Sequence, residues 1–392
     1  MKPNLKSVWG LSAAHLVTDL YSPVLPAILP LLIAQYGYTY FLAGLIVSLY
    51  NITSSFAQPF VGWLYDRRGI AIHTSYSVLM SAFFISIIGL TDNYLLVLAF
   101  AALGALGHGI FHPGALGEVS RQTQDASRGR VTSYFVVGGN LGFALGPLFA
   151  GAVVGLMGLP GLVYLLIPGL VMAPLLRVIL PPSGHTGRPD EAAAAPIRMG
   201  SMKPVVILVL ATAFRAWTIF GSIAFLPTFL TDRGFDLITA NILVSATLVA
   251  GIVGQIFGGA ISDRFGRKEY TVFGLVGAVP AFYAFLMTDG FASIAALMLF
   301  GFSLWSTFSV TVAMGHEMMP GNVGLVSGLI LGLAVGAGGL GVAITGYLAD
   351  HISLYLGLYT LPLPVIVAVL LFLAVPYPWK ALGRARRGGS GA

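Results

Sequence analysis

Twelve long apolar runs, cut apart by short polar stretches, restrict what this chain can fold into. Crossing about 30 Å of hydrocarbon takes roughly 20 apolar residues. Within that layer every backbone polar group must find its partner inside the protein, which leaves helices for runs of this length. The spans read as Val8–Tyr36, Phe41–Tyr65, Ile70–Leu90, Tyr94–Arg121, Val131–Leu156, Leu162–Leu180, Val205–Leu230, Ile238–Ser262, Tyr270–Met287, Phe291–Met318, Val323–Ala349 and Ile352–Val375. Only 9% of residues are charged and the mean hydropathy is +0.89, which excludes a soluble globular protein. The expectation is an all-α membrane protein.

An even number of spans puts both termini on one side of the membrane. The N-terminus, alternate loops and the C-terminus together carry 18 of the 20 Lys and Arg residues, and Arg233 stands alone among the opposite loops. The positive-inside rule places the basic side in the cytoplasm, so both termini are expected there. The net charge of +6 therefore reports orientation, and no nucleic-acid partner is expected because no basic, aromatic-interleaved patch exists. The chain has no cysteine, which excludes disulfides, thiolate catalysis and Cys-type metal sites.

The chain also repeats itself. The stretch 181–203, rich in Pro, Ala and charge, divides it into six spans (1–180) and six more (204–377), with a tail at 378–392. Shifted by 197 residues, Pro30–Gly69 aligns without a gap on Pro227–Gly266, with 11 of 40 positions identical. Among them are Pro30/Pro227, Gly37/Gly234, Gln58/Gln255, Asp66/Asp263 and Arg67/Arg264. Two six-helix bundles related by an axis along the membrane normal, with a substrate site between them, is a transporter layout.

G-W-L-Y-D-R-R-G (Gly62–Gly69) and G-A-I-S-D-R-F-G-R-K (Gly259–Lys268) resemble the major facilitator loop motif, once per half. Gly142, Gly146, Pro147 and Gly151 resemble the antiporter motif of that superfamily, which Ser133 and Ala150 depart from where its fuller form has Gly. H-L-V-T-D in span 1, I-F-H-P in span 4, V-G-G-N-L-G in span 5 and the stretch Glu317–His351 are similar to the fosmidomycin resistance protein family. Where that family has an acid after F-H-P this chain has Gly114, and the nearest acid is Glu118. The resemblance implies the major facilitator fold and proton-driven efflux of a small anionic or amphipathic compound. It also implies a monomer and a bacterial or archaeal cytoplasmic membrane as its site.

Asp19 is the sharpest candidate for proton coupling, because a carboxylate inside a span costs roughly 2.5–3.5 kcal/mol on insertion scales and so faces a cavity or a partner. His15 lies one turn away on the same face, and such a pair can hand over a proton near neutral pH, as coupling requires. A purely structural hydrogen-bonded pair is the competing reading. Arg215 falls opposite Thr18 when the repeat is extended, and its guanidinium suits an anionic substrate. His108 and His112 sit four residues apart, and Pro113 is expected to break the helix directly after them. That spacing can ligate a metal, but no third ligand is apparent, so no metal is assigned and His112 is read as a proton or anion ligand. Asn51, Gln58, Asn140 and Asn241 supply further polar groups for substrate, or for interhelical hydrogen bonds. The resemblance makes Asp66, Arg67, Asp263 and Arg264 gate latches, with Glu118 and Glu317 joining their network. Glycines 324, 328, 332 and 336 are read as a helix-packing stripe.

The sequence thus points to a secondary transporter without cofactors, working on protons and a small molecule in a lipid bilayer. An uptake symporter shares the same chemistry. A membrane-embedded metalloenzyme built on His108, His112 and Glu118, and a non-transporting sensor, are alternatives from other classes.

Overall fold

A computed structural model describes residues 5–68, 72–121, 125–180, 202–319 and 323–380. The expected linker lies outside the described residues as far as 201, and so does the tail beyond 380. Among the described residues, eleven helices are long and apolar enough to cross a membrane. They are α1 (Lys6–Tyr36), α2 (Tyr40–Arg68), α4 (Tyr94–Arg121), α5 (Asp125–Met157), α6 (Leu159–Ile179), α7 (Lys203–Asp232), α8 (Leu237–Phe265), α9 (Arg267–Met287), α10 (Gly290–Met318), α11 (Leu325–His351) and α12 (Leu354–Ala374). The shorter α3 (Thr74–Leu90) completes the twelve. Leu95, Leu156, Val178 and Phe291 are each more than 70% exposed, which suits side chains bathed in lipid and not in water.

Several helices are interrupted within their length. α1 pauses at Tyr21–Pro23, where i→i+3 bonds run from Tyr21 N–H to the Thr18 carbonyl and from Ser22 N–H to the Asp19 carbonyl. Pro23 has no N–H to continue the ladder. α10 pauses at Thr307, and α11 widens into a π-helical stretch at Gly328–Ala334. Pro113, by contrast, does not break its helix: α4 runs unbroken to Arg121. In hydrocarbon one lost N–H bond costs less than ending the helix, which orphans several backbone groups at once.

The repeat is visible in the backbone. Gly37 and Gly234, paired by the 197-residue shift, both turn the chain at positive φ (67° and 90°) after the first helix of their half. A Cβ is disfavoured in that region by about 1–2 kcal/mol. Gly234→Ala is accordingly expected to lower stability by about 1–2 kcal/mol in a detergent unfolding titration, and an unchanged midpoint would contradict the strained turn.

The chain divides into two compact units, Met1–Ala195 with Ile223–Ser245, and Pro196–Ser222 with Ala246–Ala392. In the first, α1 lies along α5, α2 along α4, and α3 against α4 and α6. α5 approaches so closely because glycines line its contact face. A Cβ on Gly138, Gly142 or Gly146 would fall 2.0–2.4 Å from the carbonyl oxygens of Ser12, Leu16 and Leu20. In the second unit α9 packs on α10 and α12. On α11, Gly332 and Gly336 of the expected glycine stripe are buried. Gly328 has nothing near it, whereas Gly338 and Gly341 abut Ala216 and Trp217 of α7.

Candidate functional site

Helical periodicity brings His15 and Asp19 together on α1, with Nε2 3.1 Å from Asp19 Oδ2. The glycine-lined contact with α5 then supplies what the pair needs. The Phe135 carbonyl accepts a hydrogen bond from His15 Nδ1 at 2.8 Å, and the Phe135 ring stacks on the imidazole at 4.1 Å. Gly139 lies directly against the pair: a Cβ there would fall 2.3 Å from His15 Nε2 and 2.7 Å from Asp19 Oδ2.

From the other side α4 presents His108 and His112. Their Nε2 atoms stand 3.3 and 3.6 Å from Asp19 Oδ1. Three imidazoles therefore converge on one carboxylate. His112 Nδ1 donates to the His108 carbonyl at 3.0 Å, and His108 Nδ1 meets Ser54 Oγ of α2 at 2.7 Å. A carbonyl can only accept, so Nδ1 of His15 and of His112 carries the proton, and in the neutral rings both Nε2 atoms present lone pairs. Asp19 Oδ1 is buried and receives no aligned hydrogen bond, although two ring nitrogens are close.

The second unit holds Arg215 on α7, 1% exposed. Its Nη1 donates to Thr307 Oγ1 at 3.1 Å, at the pause in α10, and the guanidinium lies 5.3 Å from the Phe308 ring centroid. Nε has no hydrogen-bond partner, and among the described residues of its own unit Arg215 has no carboxylate within ion-pair distance. A buried guanidinium left this way keeps hydrogen-bonding capacity unspent.

The remaining candidates scatter. Asn51 is buried on α2 with Nδ2 unpartnered, while Gln58 and Asn140 are half-buried. Asn241 packs against Gly151, and its Nδ2 donates to the carbonyls of Leu237 and Ala27 at 2.9 and 3.2 Å. Asp66 and Arg67 fall in the last turn of α2, and their side chains lie outside the described residues. In the second unit Asp263 pairs with Arg267 at 3.0 Å, and Arg267 also reaches Glu317 at 2.6 Å. Arg264 is exposed. The segment after α12 joins this network: Tyr377 donates to Glu317 and Lys380 to the Asp263 carbonyl. Burial, then the Glu317 carboxylate, push the Tyr377 phenol up to about 12. In the first unit Glu118 acts on His73. Partial burial and the Arg177 charge hold that imidazole below its usual value, against the pull of Glu118.

Sequence reasoning found His15, Asp19 and His112 but undervalued His108, and missed Gly139, Ser54 and the Phe135 carbonyl. The four-residue step from His108 to His112 was the available signal. The neighbourhood of α1, α4 and α5 was not.

Comparison with known proteins agrees with this architecture. The chain matches the family model described as Major Facilitator Superfamily over residues 11–340 and 208–390. It is 30% identical to the fosmidomycin resistance protein of Escherichia coli (strain K12) over 359 residues, 88% of this chain and 87% of that one. It is 27% identical to the uncharacterized MFS-type transporter YfnC of Bacillus subtilis (strain 168), over 92% and 90% of the two chains. Its fold superimposes with a TM-score of 0.82 on a bacterial homologue of the human lysosomal transporter Spinster, at 16% identity, covering 94% of this chain and 96% of the other. The protein is an integral membrane transporter, not an enzyme, and belongs to the major facilitator superfamily.

Proposed function

We propose that this transporter exports a small anionic or amphipathic compound in exchange for protons, by alternating access between its six-helix halves. The observation that carries the reading is the convergence of three imidazole Nε2 atoms on Asp19. With the rings neutral and Asp19 ionised, the Nε2 lone pairs of His15 and His112 face the carboxylate oxygens at 3.1 and 3.6 Å. A proton anywhere in the cluster turns one of those repulsive contacts into a charge-assisted hydrogen bond. The cluster is thus built to take up and release a proton, while Arg215 is built to hold an anion. Binding at the two alternates: substrate is taken at Arg215 while Asp19 is ionised or paired, and a proton arriving from outside neutralises Asp19 as substrate leaves.

Phosphonates of the fosmidomycin type are the first substrates to test, on the strength of the Escherichia coli relative. The basic loops support cytoplasmic termini, the bacterial relatives support a bacterial or archaeal membrane, and the reading includes a monomer. In proteoliposomes with a preset pH gradient, adding fosmidomycin should release protons down the gradient, opposite in direction to the anion. Flow of both in one direction would make the protein a symporter, and no response to any small anion would remove proton exchange from the reading. Arg215→Gln is expected to raise the substrate KM by about 10- to 100-fold, the worth of a lost charged hydrogen bond. An unchanged KM would take the anion site away from Arg215.

A further inference from the structure

We propose that the cluster of His15, His108, His112 and Asp19 is also a binding site for one borderline-soft divalent transition-metal ion, Zn²⁺ being the best match. Ligand atoms of His15, Asp19 and His112 all lie within 4.8 Å of one another, and His108 Nε2 is 3.3 Å from the same carboxylate. Three nitrogens and one oxygen are a familiar four-coordinate zinc set, and bonds of about 2.0–2.1 Å put tetrahedral ligands about 3.4 Å apart.

Three features favour a cation over an ordinary hydrogen-bonded cluster. Two rings are presented for ligation: His15 and His112 donate Nδ1–H to backbone carbonyls, and such outer hydrogen bonds fix a metal-binding tautomer. Asp19 Oδ1 is buried among nitrogens that approach without hydrogen-bond alignment, as atoms do when they aim at a shared point. The four side chains remain 9–20% exposed, so an ion can reach them. Reading the sequence alone, a metal failed for want of a third ligand beside His108 and His112. The packing of α1 against α4 supplies a third and a fourth. The occupied site would staple those two helices together.

A bound metal ion and a transported proton compete for the same nitrogen and oxygen atoms, and metal binding is measured without substrate or pH gradient. The purified full chain, freed of any polyhistidine tag, is titrated with Co²⁺ as a visible stand-in for Zn²⁺. One equivalent should bind with the intense bands of four-coordinate Co²⁺, and Zn²⁺ should displace it. His112→Ala should weaken binding by at least about 10-fold, as losing even an outer partner does at metal sites, with its folding checked by circular dichroism. X-ray absorption at the zinc edge of the wild type, which needs no variant, should show a first shell of nitrogen and oxygen with imidazole scattering. A weak octahedral Co²⁺ spectrum, no saturable binding, or undiminished binding in folded His112→Ala protein would overturn the site.

Discussion

Replacing Asp19 with asparagine is expected to reduce substrate-driven proton movement to the level of protein-free liposomes, a loss of about 100-fold or more. Asparagine keeps the shape of the side chain and can still bond to the His15 ring, so α1 should keep its place against α5. What disappears is the anionic carboxylate on which His15, His108 and His112 converge at 3.1, 3.3 and 3.6 Å. Without it the neutral rings have no carboxylate with which to share a proton. Exchange of labelled substrate across the membrane without a pH gradient should survive, because Arg215 is untouched. That pairing of results separates lost coupling from lost folding. If the asparagine variant moved protons at the wild-type rate, the coupling site would have to lie elsewhere.

Gly142→Val should be severely destabilising. Any Cβ at this position falls 2.0 Å from the Leu16 carbonyl oxygen and 2.7 Å from its carbon. Those are backbone atoms inside a helix and cannot turn aside as a side chain end does. α1 and α5 must separate, which overpacking costs of about 1–3 kcal/mol represent at the low end. The damage also reaches the site, since the Phe135 carbonyl that orients His15 rides on the same helix. The expected result is a marked fall in expression and in the thermal midpoint in detergent. Gly259→Ala is the comparison: nothing lies within 4 Å of a Cβ there, and the change should stay within about 0.5 kcal/mol of wild type. Equal midpoints for the two variants would disprove the close helix contact.

The features that were legible in the sequence are those with a period or a covalent signature. Apolar runs set the helices, and a 197-residue shift exposed the repeat, because a turn at positive φ needs glycine at 37 and at 234 alike. His15 and Asp19 were readable because four residues make about one helical turn. His108 joins Asp19 only through the packing of α4 beside α1, and the Phe135 carbonyl belongs to the backbone, which no side-chain pattern marks. Pro113 misled for a different reason. Rules for helix ends are learned in water, where a freed carbonyl finds a solvent partner, and that escape is missing in hydrocarbon.

The π-helical stretch at Gly328–Ala334 has a consequence for how α11 can work. A wide turn of this kind stores one residue more than an α-helix needs. Each residue of an α-helix advances the direction of its side chain by about 100°. Sliding the wide turn along the chain therefore swivels the residues it passes by about that angle, while hydrogen bonds are traded one at a time and the helix stays whole. Gly328, with open space where a Cβ would be, gives such a slide room to begin. The wide turn thus offsets the side chains on its two sides by about 100° from the register of an unbroken α-helix.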